Sequence, residues 1–190
     1  MRKLIAWNVM TLDGYFEGPE PWSIDFHSLV WGDDLNNLSN SQLAEAGLLL
    51  FGRKTYEGMA KYWPTAPESE GAEMNSLPKA VISNTLESAD WNNTRLLKGD
   101  AVELVRQLKA EDGKTIYVFG SADLLASLLA AGLVDEFRIC VAPILIGKGN
   151  PLFKQQDQSM ALELVSAKAL DNGGVLLSYR PKTRSRYSSE

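Results

Sequence analysis

A glycine, two cations and a hydroxyl follow directly on the apolar run LLLF; they are Gly52, Arg53, Lys54 and Thr55. Glycine permits a tight turn from a strand into a helix. The first turn of a helix presents unpaired N–H groups and the positive end of its dipole, and an arginine fork suits a terminal phosphate. These residues predict an anion site. Two solvated cations and a simple helix cap are the alternative.

A second glycine turn stands between the apolar run TIYVF and the next helical pattern, and it consists of Gly120, Ser121, Ala122 and Asp123. Because Gly120 has no Cβ, a diphosphate could approach the backbone N–H groups of residues 121–123. The three-glycine fingerprint of Rossmann folds does not occur here. A glycine needed only for the turn, with Asp123 as a helix cap, is the alternative.

Both glycine turns would lie at the carboxyl end of a buried strand. Ligands of open α/β sheets bind outside these strand ends. Side by side, the turns would form a basic pocket for a terminal phosphate and a neutral backbone cradle for a diphosphate. This arrangement predicts an extended dinucleotide as the ligand.

Three weaker candidates stand at other strand ends. Ser83 and Asn84 follow the run KAVI and could bond a ribose or a phosphate, although a plain turn explains this segment better when it is taken by itself. Asp13, beside Gly14, could orient or protonate a reacting ligand, or simply form a turn. Residues 147–149 (GKG) could lie against a diphosphate, or reshape a loop without touching a ligand.

Composition and missing motifs exclude several other functions. The chain has 190 residues with 19 basic and 24 acidic side chains, a balance that argues against nucleic-acid binding. No segment approaches the roughly 20 apolar residues of a membrane span. His27 and Cys140 are the single histidine and the single cysteine, and no GxSxG or HExxH motif occurs, which argues against a serine hydrolase, a metal site and a disulfide framework. We expect a protein of the reducing cytoplasm without a metal.

Short apolar runs alternate with helical patterns and predict the elements that position these residues. The parallel-type strands, buried on both faces, are predicted at 3–10, 47–51, 79–83 and 115–119. The helices are predicted at 54–62, 100–111 and 122–131. A strand with period two follows at 137–142, and a hairpin joins 161–168 to 175–180 through the turn 171–174.

This order of elements predicts an α/β fold with three layers, α/β/α. Its central sheet is mixed, mostly parallel, with a C-terminal antiparallel hairpin. We expect one domain over 1–181 and a flexible tail over 182–190. The stretches 13–38 and 63–77 carry Pro, Trp and acids and read as irregular binding loops.

Five motifs, in this order, resemble the dihydrofolate-reductase-like superfamily. The closer similarity is to the reductase domain of bifunctional riboflavin-biosynthesis deaminase/reductases, and it extends from about residue 3 to 180. The motifs are TLDGYF at 11–16, LLLFGRKTYEGM at 48–59, KAVISNTL at 79–86, IYVFGSADLLASLL at 116–129, and GLVDEFRICVAPILIGKGNPLF at 132–153. The resemblance implies a dihydrofolate-reductase-like fold and NADPH-dependent reduction of a small heterocycle, such as a ribosylaminopyrimidine or a pterin.

Residue roles are implied by the same resemblance. Arg53 and Thr55 would lie near the 2′-phosphate of NADPH, after Gly52, and the diphosphate would lie along residues 120–123. The resemblance further places Ser83 and Asn84 near the adenosine ribose, and Thr11 and Asp13 near the nicotinamide and the substrate. Related reductase domains are often dimers, so a homodimer formed through the strand 137–142 and the hairpin is expected. The alternative is a non-catalytic nucleotide-binding or dimer-forming module that kept the fold.

Overall fold

The computed structural model describes residues 1–182, and its centre is one large sheet. Within these residues the sheet has eight strands in the order β5-β4-β3-β6-β1-β7-β10-β9. Neighbouring strands are parallel from β5 through β7, while β10 runs antiparallel to both β7 and β9. The strands are β1 Leu4–Thr11, β3 Ala46–Gly52, β4 Lys79–Ile82, β5 Thr94–Leu97, β6 Thr115–Phe119, β7 Glu136–Ala142, β9 Leu162–Ala169 and β10 Val175–Pro181. A separate two-stranded ribbon pairs β2 Tyr15–Glu17 with β8 Asn150–Pro151.

Helices cover both faces of this sheet and make the three predicted layers. The α-helices are α1 Asp33–Glu45, α2 Arg53–Tyr62, α3 Glu68–Ser76, α4 Ala101–Ala110 and α5 Ala122–Ala130, with short 3-10 helices at Asp25–Leu29 and Trp63–Thr65. Since successive strand residues point to opposite faces, β1 places Leu4 and Ala6 in one core, under α4 and α5. Its residues Ile5 and Trp7 lie in the other, under α1 to α3. The α/β fold with a mostly parallel sheet is therefore confirmed.

Two stretches predicted to be irregular contain regular structure. The stretch 13–38 holds β2, a 3-10 helix and the first turns of α1, and 63–77 holds a 3-10 helix and the whole of α3. Helix α1 (DDLNNLSNSQLAE) buries Leu35 and Leu43 among Asn and Ser residues, which have weak helix propensity. Helix α3 buries only Gly71 and Met74. The irregular prediction was wrong because both helices are short of apolar residues and their order comes from packing.

A strand that pairs with a second copy across a two-fold axis must lie at the edge of its sheet. The strand at 137–142 lies inside the sheet. This strand, β7, pairs with β1 on one side and with β10 on the other, so it has no free edge. The prediction that it pairs with a second copy was wrong, whereas the hairpin strand β9 lies at the sheet edge. In the predicted tail, Lys182 donates its N–H to Ala161 O, and residues 183–190 lie outside the described residues. Across residues 1–182, no helix is long and apolar enough to cross a membrane.

Lys79 is fully buried at the start of β4 and ties α3 to the sheet. Its ammonium donates to the carbonyl oxygens of Met74, Asn75 and Leu77 at 2.7–3.0 Å and lies 4.5 Å from the centre of a Trp91 ring. Lys79→Ala would remove the ammonium donor from the Met74 and Leu77 carbonyls, while Asn75 O keeps Asn92 Nδ2 at 3.2 Å, and would open a cavity. We expect the free energy of unfolding to fall by about 3 kcal/mol, measured by urea denaturation. The exposed Lys98→Ala is the control and should change it by less than about 0.5 kcal/mol; an equally small loss for Lys79→Ala would contradict the structural role.

Candidate functional site

The two glycine turns meet at one edge of the sheet. Strands β3 and β6 are parallel neighbours, so their carboxyl ends lie together. The Gly52 N–H donates to Ser121 Oγ at 2.9 Å, and the Ser121 N–H donates to Thr55 Oγ1 at 2.9 Å. Each hydroxyl accepts one of these bonds and keeps its own proton for a ligand. The structure therefore joins the start of α2 to the start of α5.

Gly120 is placed where only a very small residue fits. Its φ is +51°, and a Cβ built on it would lie 3.1 Å from Thr55 Oγ1 and 3.7 Å from the ring of Phe16. The next residue, Ser121, has a left-handed backbone as well, with φ +57°. The turn thus brings the backbone of β6 close to the side chain of Thr55 and aims the first N–H groups of α5 outward from the strand end.

The N-terminus of α5 presents backbone N–H groups that the described part of the chain does not use. Its first internal bond runs from Leu125 N–H to Ser121 O, and no side chain caps the helix. Within residues 1–182, the N–H groups of residues 122–124 thus have no acceptor. Asp123, whose side chain is 81% exposed, stands in this first turn, and Lys154 lies 3.7 Å from its carboxylate. An anion here would meet free N–H groups, one carboxylate and one ammonium.

The cations of the first turn lie on the surface. Arg53 and Lys54 are exposed, and Arg53 Nη1 contacts the Glu57 carboxylate at 3.2 Å, one turn further along α2. Such an exposed pair within a helix contributes little stability. Arg53 can therefore exchange Glu57 for a ligand phosphate at small cost.

Ser83 and Asn84 follow β4 beside this turn, because Gly52 is the register partner of Ile82. Both side chains have structural partners. Ser83 Oγ accepts the N–H groups of Thr85 and Leu86 at 3.2 and 3.0 Å, and Asn84 Oδ1 accepts the N–H of Gly99 at 2.7 Å. Their position agrees with the predicted ribose contact, and that contact itself stays a prediction.

Thr11 and Asp13 form a latch at the end of β1. The buried Thr11 hydroxyl donates to Asp13 Oδ1 at 2.6 Å and accepts the N–H of Tyr15 at 3.0 Å. Asp13 Oδ2 accepts the N–H groups of Ile146 and Gly147 at 3.1 and 2.8 Å. The hydroxyl proton of Thr11 is used in the bond to Asp13, so the Thr11 side chain has no donor left for the nicotinamide. The catalytic role of Asp13 stays a prediction, and the structure adds a positioning role that the sequence did not reveal.

These bonds keep Asp13 charged. The hydrogen bond from Thr11, together with the N–H groups of Gly147 and Ile146, holds the pKa of Asp13 below its ordinary value. A carboxylate that is ionised at neutral pH accepts hydrogen bonds and has no proton to give. In the protein without a ligand, Asp13 is therefore better suited to orienting a ligand than to protonating one.

The lowered pKa predicts how the latch responds to pH. The folded pKa lies below the unfolded value of about 3.9, so its contribution to stability is present above that pH and is lost as the pH falls through the folded pKa. We expect Asp13→Asn to melt at a lower temperature than the unchanged protein at pH 7. This difference should shrink as the pH falls below about 4, since both proteins then carry a neutral group. Melting curves from pH 3 to 7 measure it, and a difference independent of pH would contradict the ionised latch.

A ribbon made of β2 and β8 covers the strand end next to the latch; we call residues 15–17 with 150–151 the flap. A Cβ on Gly149 would overlap the Glu17 carbonyl oxygen, and the Leu152 N–H donates to Gly14 O at 3.0 Å. The GKG motif therefore serves close backbone contact with the flap. The flap presents Phe16 beside Gly120. Residue type and spacing do not single out Phe16, although it belongs to the motif TLDGYF.

The aromatic side chains divide between the core and the surface. Trp7, Phe26 and Tyr56 are buried in the core. Trp22 is partly exposed and has φ +64°, and its indole lies on Gly58 in α2, where even a Cβ would overlap the ring. Gly58 is one turn beyond Thr55, so Trp22 covers α2 close to the joined turns. A glycine inside a helical pattern was the signal that could have revealed this contact.

The chain resembles known proteins over nearly its whole length. The RibD C-terminal domain family matches residues 2–176. The chain is 30% identical over 186 residues to the uncharacterized protein YyaP of Bacillus subtilis (strain 168), covering 94% of both chains. These matches extend over the sheet, both glycine turns and the flap.

Solved structures share the fold. A protein assigned provisionally to riboflavin biosynthesis, from Shewanella sp. PV-4, superposes with a TM-score of 0.80 at 22% identity, covering 95% of this chain and 99% of that one. Dihydrofolate reductase from Enterococcus faecalis, complexed with NADP(H), superposes with a TM-score of 0.62 at 16% identity, covering 95% and 97%. The dihydrofolate-reductase-like fold is thus confirmed, and the chain belongs to the RibD C-terminal domain family.

Proposed function

We propose that the protein is an NADPH-dependent reductase of a small heterocyclic substrate. The contact between the two glycine turns is the observation that carries this proposal. This contact brings the cations of α2 and the free N–H groups of α5 together at the carboxyl ends of β3 and β6. The family and the reductase fold support the same reaction class, and the NADP(H) bound to the Enterococcus reductase supports the cofactor.

The residues at this edge fit three parts of NADPH, which are the 2′-phosphate, the diphosphate and the adenosine ribose. Arg53 and Lys54 would hold the terminal 2′-phosphate, since both are exposed cations. The N–H groups of residues 122–124 and the hydroxyl proton of Ser121 would hold the diphosphate. Thr55, which the resemblance places near the 2′-phosphate, accepts the Ser121 N–H and would therefore lie between the two phosphate groups. Because Gly120 has no side chain, Thr55 lies close to the turn after β6, and these donors stand together. Ser83 and Asn84 would border the adenosine ribose.

The charge at the α5 N-terminus also fits this assignment. A diphosphate next to Asp123 alone would face a like charge. Lys154 compensates for it at 3.7 Å, so the first turn of α5 is close to neutral before the cofactor binds. The backbone donors then supply the attraction, as the sequence predicted.

When bound, reduced nicotinamide supplies a hydride. The chain's own part is to hold the ring against an electrophilic carbon of the substrate and to keep water out. Phe16 of the flap lies beside Gly120, and Trp22 packs against Gly58 of α2, so both rings could cover part of a bound cofactor. The Asp13 carboxylate would fix the strand end beneath them through Ile146 and Gly147.

The proposed substrate is of the kind reduced in riboflavin biosynthesis, such as 5-amino-6-(5-phosphoribosylamino)uracil, with a pterin as the second possibility. One observation favours the alternative of a binding module without turnover. The only acid placed at the nicotinamide end by motif similarity, Asp13, is held in its charged form by the latch. Turnover would then need the substrate or another group to provide the proton.

Titration with NADPH, followed by tryptophan emission, tests the proposal. We expect saturable quenching with a dissociation constant well below about 1 mM, and we expect Trp22→Phe to remove most of the signal. NADPH oxidation is then measured with pyrimidines, pterins and simple carbonyl compounds. Oxidation with any of these supports the reductase, and tight binding without oxidation supports the module. No binding at all would overturn both.

The remaining parts of the proposal concern assembly and compartment. We propose a homodimer, with the hairpin as its surface, because β9 lies at the edge of the sheet. We also place the protein in the reducing cytoplasm, in keeping with its single, buried, free cysteine, Cys140.

A further inference from the structure

A cavity of about 540 Å³ lies at the amino ends of the central strands, on the face that α1 covers. Its lining residues Lys3, Thr115 and Glu136 stand at the starts of β1, β6 and β7, or directly before them. The glycine turns follow the opposite ends of the strands. From Thr115 to Gly120 the chain rises by about 16 Å along β6. The cavity is therefore separate from the edge proposed for the cofactor.

Glu136 forms a buried, charged floor for this cavity. It is only 4% exposed. Its carboxylate accepts hydrogen bonds from Arg138 Nε at 2.8 Å, from Arg180 Nε and Nη2 at 3.3 Å, and from Ser178 Oγ at 3.3 Å. A buried carboxylate needs such partners because its desolvation is costly. The protein's own donors thus occupy this acid, and the acid holds both guanidinium groups at the cavity.

The acceptors next to the floor are occupied as well. Arg138 Nη1 donates to the Tyr117 hydroxyl oxygen at 2.9 Å and to Gln42 Oε1 at 3.4 Å. The Tyr117 hydroxyl donates in turn to Glu45 Oε2 at 3.0 Å. Glu45 stands at the end of α1 and lines the cavity. The buried acceptors around the cavity are therefore already used.

Several donors at the cavity have no acceptor. Within residues 1–182, no hydrogen bond uses Arg138 Nη2, Arg180 Nη1 or the Lys3 ammonium. Gln42 is 2% exposed, and its Nε2 has no partner among the same residues. It lies on α1 one turn from Leu38, which lines the cavity. A buried donor without an acceptor is unfavourable, so this surplus of donors favours a ligand that brings acceptors.

The charge of the lining favours an anion. Three cations line the cavity, Lys3, Arg138 and Arg180, against the two acids Glu45 and Glu136. The lining is thus positive, whereas the whole chain has a net charge of −5. A cleft with the opposite sign to the rest of the protein concentrates ligands of the complementary charge.

The remaining walls of the cavity are apolar. Leu38 of α1, together with Val165 and Leu176 of the hairpin, lies beside the charged groups. Inorganic phosphate would leave these walls in contact with water, while a hydrocarbon chain or an aromatic ring would cover them. Ligand sites of this volume combine apolar walls with a few polar groups in the same way.

We propose that this cavity binds a small organic carboxylate. The carboxylate lies between Arg138 and Arg180 and accepts hydrogen bonds from their unused nitrogens. An acceptor beside Arg138 also reaches the unpaired amide of Gln42. The apolar part of the ligand lies against Leu38 and Leu176. This site is additional to the cofactor edge and does not depend on the reductase activity.

Calorimetric titration of the full-length protein tests the ligand class. We expect at least one of hexanoate, benzoate and 4-phenylbutanoate to bind with a dissociation constant below about 1 mM. The neutral amide of the same acid lacks the charge, and inorganic phosphate lacks the apolar part, so each should bind at least about tenfold more weakly. Saturating NADPH should leave the carboxylate affinity unchanged. No binding of any carboxylate, equal binding of the amide or phosphate, or displacement by NADPH would overturn the proposal.

Arg180→Gln places the carboxylate in the cavity. This variant removes a half-exposed guanidinium, while Arg138 still binds Glu136. We expect the carboxylate to bind about tenfold more weakly. Arg95→Gln is the matched control, because Arg95 is also half-exposed and pairs with Glu111 at 3.4 Å, but it belongs to β5 at the other edge of the sheet. The control should bind the carboxylate as the unchanged protein does.

Gln42→Met separates binding from stability. It removes a buried amide whose Nε2 has no partner within residues 1–182, so the melting temperature should stay the same or rise. Binding of the carboxylate should weaken about threefold or more. A lower melting temperature with unchanged affinity would contradict the part of Gln42 in the site. Unchanged affinity in folded Arg180→Gln would overturn the proposal as a whole.

Discussion

Arg53→Ala is expected to weaken NADPH binding about ten- to a hundredfold and to leave NADH binding nearly unchanged. The guanidinium is exposed at the start of α2, and within residues 1–182 its one ion-pair partner is Glu57, at 3.2 Å. A lost hydrogen bond to a charged group corresponds to about 1–3 kcal/mol. NADH has no 2′-phosphate, so the loss should fall on NADPH alone. Dissociation constants for both cofactors, from tryptophan quenching, measure this selectivity.

Arg106→Ala is the matched control for this prediction. Arg106 is also exposed and also pairs within its helix, with Glu103 of α4 at 3.5 Å, but it does not lie on the strand edge with the turns. We expect no change for either cofactor in this variant. Equal losses of NADPH and NADH binding in Arg53→Ala would show that the phosphate lies elsewhere.

Gly120→Ala is expected to weaken NADPH binding at least tenfold. The sequence suggested that a side chain at this position would block the diphosphate directly. The structure gives a different reason, because the new Cβ would lie 3.1 Å from Thr55 Oγ1 and would force the Thr55 side chain to move by a few tenths of an ångström. The bond from Ser121 to Thr55, which joins the two halves of the site, would lengthen. The left-handed backbone adds a stability cost of about 1 kcal/mol.

Gly132→Ala separates backbone strain from damage to the site. Gly132 follows α5, its φ is +65°, and no atom lies within 4 Å of a Cβ built there. It should lose about 1 kcal/mol of stability, as Gly120→Ala does, and bind NADPH normally. Urea denaturation and NADPH titration of both variants make the comparison. Normal NADPH binding by a folded Gly120→Ala would contradict the joint role of the two turns.

Most of the sheet could be predicted from the sequence because buried parallel strands are short, continuous apolar runs. The edge strand β5 was missed, since it is short and only partly buried. The run at 47–51 became β3 at Ala46–Gly52, and 115–119 became β6 with the same bounds. The elements that were missed lack this signal. Helix α1 is rich in Asn and Ser, and the flap strands β2 and β8 have three and two residues, too few for any periodicity to show.

The candidate site could be predicted as far as its turns. Glycine followed by a helical pattern indicates where a strand ends, and parallel topology brings such ends together. Contacts between residues distant in the chain could not be predicted. The bonds of Asp13 to Ile146 and Gly147, and the indole of Trp22 on Gly58, depend on packing that no local pattern encodes.

A crystal structure of the protein with NADPH measures the central claim most directly. We expect the 2′-phosphate to lie within hydrogen-bond distance of Arg53 or Lys54. We also expect the diphosphate at the N–H groups of residues 122–124, next to Gly120. NADPH bound anywhere else, or crystals that take up none at millimolar concentration, would contradict the claim.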